Sequence, residues 1–122
     1  MCSRFLLFLI LLYSFLANSE SIINGIQRQI FENGNPKYEI SYKNKLKHGK
    51  ETFWYESGNK KMESHFVNGI EEGSWKQWHK NGQIKLEVNY RNGKENGLWR
   101  QWYKNGTIRS KDDYINGKVI KK

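Results

Sequence analysis

The chain repeats itself at a fixed offset of 24 residues, and this repeat constrains its fold more than any other feature. Four consecutive windows are residues 27–50, 51–74, 75–98 and 99–122. Glycines recur in the same columns of these windows, at Gly34, Gly58, Gly82 and Gly106 and again at Gly49, Gly73 and Gly97. A period of about 20 to 50 residues indicates an array in which each unit is one supersecondary motif and neighbouring units stack to make a core.

Aromatic residues keep the same register in two columns. The first column holds Trp54, Trp78 and Trp102, and the second holds Tyr42, Phe66, Tyr90 and Tyr114. We expect both columns to be structural positions that pack between units, and the column of Gly58, Gly82 and Gly106 to form turns. In the last unit, Ser110 and Asp112 take core-type positions, which is the polarity expected of a terminal capping repeat.

The segments between the glycines have the pattern of β-strands. Eight of the eleven glycines follow an asparagine, and Asn-Gly favours the positive φ angles of tight hairpin turns. From Ile84 to Tyr90, apolar and polar residues alternate, which is the period of a strand. The sequence therefore predicts an all-β fold, an elongated single antiparallel sheet of four tandem 24-residue β-hairpin repeats.

The tryptophan pairs add a constraint on the strands. Trp75 and Trp78 are three residues apart, as are Trp99 and Trp102. Two side chains at this spacing point to opposite faces of a regular strand. Either a β-bulge intervenes or both faces of the sheet carry tryptophan.

The first 19 residues resemble a secretory leader rather than part of the fold. Arg4 precedes an apolar run that is too short for a comfortable membrane span, and Ala17 and Ser19 are the small residues that a signal peptidase requires. We expect cleavage between Ser19 and Glu20, residues 20–26 as a short lead-in, and a secreted or periplasmic envelope location with no remaining membrane span. The alternative is an uncleaved N-terminal anchor.

Charge and cysteine content narrow the classes of partner. The chain has 21 Lys plus Arg against 12 Asp plus Glu, a net charge of +9, and its one cysteine lies in the leader. Without disulfides, the repeat stack must supply the stability. The basic excess favours a protein partner with an acidic face or an anionic lipid or glycan surface, and secretion makes nucleic acid unlikely. Alternatively, the lysines only prevent edge-to-edge aggregation.

Two segments interleave aromatic residues with cations and are the candidate binding residues. They are Trp75, Lys76 and Lys80 in the third unit and Trp99, Arg100 and Lys104 in the fourth. Aromatic faces flanked by Lys and Arg suit a membrane interface, a glycan or an acidic peptide. The competing interpretation is that these tryptophans pack between units and that the cations are their solvated neighbours.

No catalytic or metal-binding constellation is present in the sequence. An enzyme needs several polar groups that converge in a pocket, whereas a repeat presents the same residue type along a surface. His48, His65 and His79 fall in three different columns, so the repeat gives no reason for them to meet around a metal. We therefore expect a non-enzymatic protein that needs no cofactor and no metal.

The segment from Tyr90 to Trp99, Y-R-N-G-K-E-N-G-L-W, resembles the MORN repeat, and the match is to its variant form. The third unit follows the variant pattern most fully, whereas Lys45 replaces a turn glycine and Ser57 a turn asparagine. The resemblance implies a sheet of successive hairpins that acts as an interaction platform for proteins or membrane phospholipids. Bacterial proteins of this kind are often labelled antitoxins, which implies a cytosolic chain, and the leader argues against that.

These observations predict a non-enzymatic repeat scaffold that binds a protein or an anionic membrane or envelope surface. Two alternatives stay open. One is an antitoxin-like protein that neutralises a partner toxin. The other is a cell-wall glycan-binding module, because modules of the choline-binding kind also use aromatic hairpins, although their cationic ligand suits a basic surface poorly.

Overall fold

A computed structural model describes residues 23–120, which form eleven β-strands and no helix. The predicted leader and its cleavage site lie outside the described residues. Within residues 23–120, no helix is long and apolar enough to cross a membrane. The strands are β1 (Gly25–Ile30), β2 (Pro36–Lys43), β3 (Leu46–Trp54), β4 (Lys60–Val67), β5 (Ile70–Glu71), β6 (Gly73–Trp78), β7 (Ile84–Arg91), β8 (Lys94–Glu95), β9 (Gly97–Trp102), β10 (Ile108–Ile115) and β11 (Lys118–Val119).

The strands belong to one open antiparallel sheet. Its order is β1-β2-β3-β4-β6-β7-β9-β10-β11, with the short β5 and β8 paired to β4 and β7. Each long strand therefore lies beside the next one in the chain, as in a series of hairpins, because short connections join antiparallel neighbours. The prediction of an all-β sheet of tandem hairpin repeats is confirmed.

The strand register separates two faces. The charged face carries a row that crosses the sheet from one strand to the next, Arg28, Glu39, Thr52, Glu63, Lys76, Glu87, Arg100 and Lys111. The aromatic face carries the neighbouring row, in which Gln27, Ile40, Glu51 and Ser64 are paired in succession, as are Trp75 with Val88 and Trp99 with Asp112. Successive residues of a strand point to opposite faces, so the two rows back onto each other.

The core is thin and lies at the middle of the aromatic face. Val88 is 3% exposed and Ile40 is 9% exposed. Between the two, the row contains polar residues, Glu51 and Ser64, which are also buried. The Ser64 hydroxyl donates a hydrogen bond to Glu51 Oε2 at 2.9 Å, and Lys47 forms an ion pair with Glu51, so the buried carboxylate is satisfied.

Asparagine supplies the positive φ angles at one edge of the sheet. Asn68 and Gly69 have φ values of 49° and 81°, the left-handed pair that a two-residue hairpin turn requires. In the first unit, Asn44 is followed by Lys45, which still adopts a φ of 65°. The turn is thus kept where glycine is missing, at the steric cost of a left-handed non-glycine residue.

At the opposite edge, the five-residue turns are bonded to one another. They are residues 31–35, 55–59, 79–83 and 103–107. Asparagine side chains carry the bonds, Asn33 Nδ2 to Glu56 O at 2.8 Å, Asn59 Nδ2 to Lys80 O at 3.1 Å and Asn81 Nδ2 to Lys104 O at 2.8 Å. Because each turn binds the next, adjacent hairpins are held in register at their tips as well as along their strands.

A second set of bonds joins the same turns through the residue that begins each of them. Tyr55 Oη donates to Trp78 O at 2.8 Å, and His79 Nε2 lies 3.0 Å from Trp102 O. A carbonyl can only accept, so His79 Nε2 carries the proton. Tyr103 occupies the same column in the last unit and is 51% exposed.

Tyr55→Phe is expected to lower the free energy of unfolding by about 1 kcal/mol, because it removes the bond to Trp78 O and leaves that carbonyl without its donor. Urea unfolding measures the change. Tyr103→Phe is the matched control, since its hydroxyl makes no hydrogen bond to a described residue, and we expect a change below about 0.5 kcal/mol. Equal losses in the two variants would contradict a stabilising role for the bonds between turns.

Candidate functional site

Each of the four hairpins contains a β-bulge next to its five-residue turn. In the third hairpin, Gln77 pairs with Leu86 but Trp78 pairs with Ile84, so Lys85 has no paired residue on the facing strand β6. The register shifts in the other three hairpins leave a residue of the same column unpaired. The four residues, which we call the bulge cations, are Lys37, Lys61, Lys85 and Arg109.

The bulge aims these cations at the turns. A bulge bends its strand and redirects the side chain of the extra residue. Three bulge cations lie over the aromatic ring that begins the adjacent turn. The distances to the ring centroids are 5.8 Å for Lys37 over Phe31, 5.8 Å for Lys61 over Tyr55 and 5.7 Å for Arg109 over Tyr103. In the third hairpin, His79 takes the place of the aromatic ring.

The bulge cations form a periodic array along one edge of the sheet. Equivalent residues of successive units are separated by two strands, which corresponds to roughly 10 Å. Lys37, Lys61 and Arg109 are exposed, and Lys85 is half-buried. A cation over an aromatic ring gains about 0.5–1 kcal/mol at an exposed site, so the rings hold the charges in position while their head groups remain accessible.

An open groove of about 650 Å³ lies at the C-terminal end of this array. It is lined by Lys85, Lys104 and Arg109 together with Trp102, Tyr103 and other residues of the last two units, and no carboxylate belongs to the lining. A concave surface that is lined by three cations and by no carboxylate favours an anionic ligand. The groove can therefore accept an anionic group against an aromatic wall.

Charge in the turns differs between the two halves of the sheet. The second residue of the turn is Glu32 in the first unit and Glu56 in the second, but it is Lys80 in the third and Lys104 in the fourth. In the first two units, the hairpin tip therefore contains a carboxylate as well as the bulge cation. In the last two units, it contains a second cation instead of the carboxylate. The number of positive charges at the hairpin tips therefore increases toward the groove.

The structure places the six predicted binding residues on different surfaces. Trp75 lies on the aromatic face, where it pairs with Val88, and Trp99 follows it in the same row. Lys76 and Arg100 lie on the charged face, and both form ion pairs with Glu87. Because Glu87 neutralises part of their charge, these two cations are less available to an anionic partner than the sequence suggests.

Lys80 and Lys104, the other two predicted binding cations, lie in the five-residue turns, and Lys104 lines the groove. The structure thus brings Lys104 together with bulge cations and does not bring all six residues to one face. A binding role for the tryptophan pair stays a prediction.

The tryptophans that we expected to be structural lie on the charged face. Trp78 is on the same side of β6 as Lys76, and Lys60 Nζ lies 5.7 Å from its ring centroid. Arg100 lies over Trp102 at 5.5 Å. Of the two alternatives raised by the three-residue spacing, the second applies: every residue of β6 from Gly73 to Trp78 is paired, and Trp75 and Trp78 point to opposite faces. The unpaired bulge residue, Lys85, lies on the partner strand β7. All five tryptophans of the chain are half-buried, so exposure does not divide them into structural and binding sets.

Electrostatics on the charged face favour the ionised form of Glu63. Burial acts to raise the pKa of Glu63, but a hydrogen bond from Lys60 and the charges of Lys60 and Lys50 hold that pKa below its ordinary value. The same row contains Glu87 with its two cationic partners. On the aromatic face, burial raises the pKa of the Tyr90 hydroxyl, and the nearby carboxylates of Glu95 and Glu71 add to the effect. On the charged face, Glu63 and Glu87 are thus both paired with cations of the same face.

The three histidines each interact with a backbone group. His48 Nδ1 accepts from Asn68 N at 3.2 Å, His65 Nδ1 lies 3.1 Å from Ser74 O, and His79 Nε2 bonds to Trp102 O. Among residues 23–120, no group of three or more His, Cys, Asp or Glu side chains is arranged to hold a metal ion. The geometry assigns the histidines to the contacts between turns and strands.

Sequence reasoning missed the bulge cations as a set. A signal was available, because the column of Lys37, Lys61, Lys85 and Arg109 is basic in all four windows. Only the register between strands shows which residue of each hairpin is unpaired. The same register places the bulge cations beside the aromatic rings of the turns.

Comparison with known proteins agrees with the repeat. A family model described as MORN repeat variant matches residues 23–44, 47–68, 71–92 and 95–116. These segments keep the 24-residue spacing and begin four positions earlier than the windows used above. No curated protein and no solved structure matches the chain significantly.

Proposed function

The chain belongs to the MORN repeat variant family, and we propose that it is a non-enzymatic scaffold whose bulge cations bind an anionic membrane or envelope surface. MORN repeats are repeat binding modules, typically non-enzymatic, and they are generally associated with binding to proteins or membranes. The finer assignment to an anionic surface rests on the geometry of the bulge cations.

The observation that carries the proposal is the recurrence of one cation at the bulge of every hairpin. Four positive charges at one edge, spaced by the repeat, can contact a flat anionic surface at the same time, so that their contributions add. Cations near an anionic membrane surface contribute about 1 kcal/mol each. Aromatic rings beneath them suit the polar-apolar boundary of a membrane, where an amphipathic side chain places its ring in the interface.

Vesicle co-sedimentation tests the proposal. The protein is expected to sediment with vesicles in which part of the phosphatidylcholine is replaced by phosphatidylglycerol, and to remain in the supernatant with vesicles of phosphatidylcholine alone. Raising the salt to about 1 M, where the Debye length is only about 3 Å, should release it. Equal binding to neutral and anionic vesicles, or no binding to either, would refute the proposal.

We also propose that residues 1–19 act as a secretory leader and that the protein works outside the cytoplasm. Intact mass spectrometry of the protein isolated from its source cells should show a chain that begins at Glu20, in an envelope or secreted fraction. Recovery of the uncleaved chain from the cytosol would instead support the antitoxin-like alternative, in which the basic surface meets an acidic protein.

A further inference from the structure

The bulge cations are held at fixed points along the turn edge of the sheet. Three of the four lie over an aromatic ring, at distances of 5.8, 5.8 and 5.7 Å from the ring centroid. The turns that carry these rings are bonded to one another through asparagine side chains, so each hairpin tip is fixed relative to the next. A preorganised array of this kind can recognise the spacing of charges in a ligand as well as their number.

The spacing of the array corresponds to the repeat of a linear acidic polysaccharide. Bulge cations of successive units lie two strands apart, roughly 10 Å, and the four together span roughly 30 Å. Two pyranose rings of a β-linked chain have about the length of one such step. A polysaccharide with one anionic group per disaccharide can therefore place one anion at each bulge. A membrane offers its anions over a plane, and four cations in a line use only one row of them.

The groove at the C-terminal end of the array also has the composition of a saccharide site. Besides its three cations, the lining contains the amide side chain of Gln101 and the rings of Trp102 and Tyr103. An amide both donates and accepts hydrogen bonds, which matches the two roles of a sugar hydroxyl. The aromatic rings provide a flat apolar surface against which a pyranose ring can pack. One saccharide unit of the chain can therefore be anchored in the groove.

The charges of the turns give the array a preferred end. The turns of the first two units contain Glu32 and Glu56, whereas lysine takes that position in the last two units. The carboxylates repel an anionic chain and the lysines attract it, so the third and fourth units bind the chain most strongly. These are also the units that line the groove.

We propose that the bulge cations bind a linear acidic polysaccharide with one anionic group per disaccharide, anchored in the groove and extended along the turn edge. The inference rests on the proposed function, because it assigns a ligand to the same cations, and it identifies the anionic envelope component as a glycan. A single exposed ion pair contributes little. Linked anions bind together, because the first contact holds the next anion near its cation at a high effective concentration.

Hyaluronan oligosaccharides of defined length test the inference, since they alternate glucuronate with N-acetylglucosamine and carry one carboxylate per disaccharide. Isothermal titration calorimetry at low salt is expected to show an affinity that increases about threefold with each added disaccharide, the contribution of one exposed ion pair. The increase should stop at four disaccharides, one for each bulge. Chitin oligosaccharides of the same lengths carry no charge and should bind more weakly than hyaluronan at every length.

A variant of the last bulge tests whether the limit comes from the array. Arg109→Gln should lower the limit from four disaccharides to three, because it removes the final contact. Arg91→Gln makes the same substitution at an exposed position beside the Asn92-Gly93 turn, near the opposite edge of the sheet, and should leave the limit at four. Equal effects of the two substitutions would overturn the inference, as would an affinity that keeps rising at the same rate beyond four disaccharides.

Vesicle binding separates the inference from the proposed function. A large excess of the four-disaccharide hyaluronan chain should release the protein from phosphatidylglycerol vesicles, because the same cations bind both. If the protein binds the vesicles but no hyaluronan oligosaccharide, the anionic surface is a membrane, and the inference is overturned while the proposed function stands. Binding to neither overturns both.

Discussion

Replacing all four bulge cations, Lys37, Lys61, Lys85 and Arg109, with glutamine is expected to weaken binding to phosphatidylglycerol vesicles by about a thousandfold. Each cation near an anionic surface contributes about 1 kcal/mol, and about 1.4 kcal/mol corresponds to a factor of ten. Glutamine keeps much of the aliphatic stem over the turn ring, so the variant removes the charge with little change in packing. Titration with vesicles and measurement of the bound fraction gives the affinity.

The control for this variant removes four other exposed positive charges. Lys43, Lys50, Lys94 and Lys118 are exposed and do not belong to the bulge column. Their joint replacement with glutamine makes the same change in net charge, and we expect less than about a tenfold loss because charges farther than a Debye length from the contact are screened. Similar losses in the two variants would mean that binding follows net charge rather than the geometry of the bulges.

Val88→Asp is expected to unfold most of the molecule under conditions in which the native chain is folded. Val88 is 3% exposed, pairs with Trp75 and is followed by Trp99 in the same row, so a carboxylate there would be buried without a charged partner. Burial of an unsatisfied charge costs several kcal/mol, about 4 or more, which approaches the whole stability of a small domain. Urea unfolding followed by circular dichroism measures the loss.

Asn89→Asp is the neighbouring control for the core. Asn89 is exposed and points to the other face of β7, so the same carboxylate should change the free energy of unfolding by less than about 0.5 kcal/mol. A loss below about 1 kcal/mol in Val88→Asp would show that the aromatic row is not the core of the sheet. The pair also tests the face assignment, since the two substitutions introduce the same carboxylate on opposite sides of the strand.

The same placement changes the expectation for the tryptophans of this row. From the sequence, Trp75 and Trp99 are candidate binding residues, in a different column from the tryptophans that we expect to be structural. In the structure, Trp75 pairs with the buried Val88. Truncation of Trp75 should therefore expose part of the core as well as remove any contact with a partner. A loss of binding in such a variant must be interpreted together with its free energy of unfolding.

Local signals predicted most of the fold. The Asn-Gly turns and the alternation from Ile84 to Tyr90 are properties of a few adjacent residues, and the structure has a turn and a strand at those places. The candidate site was less predictable, because it depends on which residues are paired across strands. Lys76 and Arg100 look like free cations in the sequence, yet Glu87 of the strand between them binds both.

The sequence by itself determined the repeat, the hairpin as its unit and the positions of the turns, since the 24-residue period and the left-handed preference of Asn and Gly act within each unit. Only the tertiary structure decided the register, and the register decided which residue is unpaired at each bulge. That pairing set the cations of one column over the turn rings. The physical reason is that side chains far apart in sequence become neighbours only when strands pair, and a shift of one residue moves them to the other face.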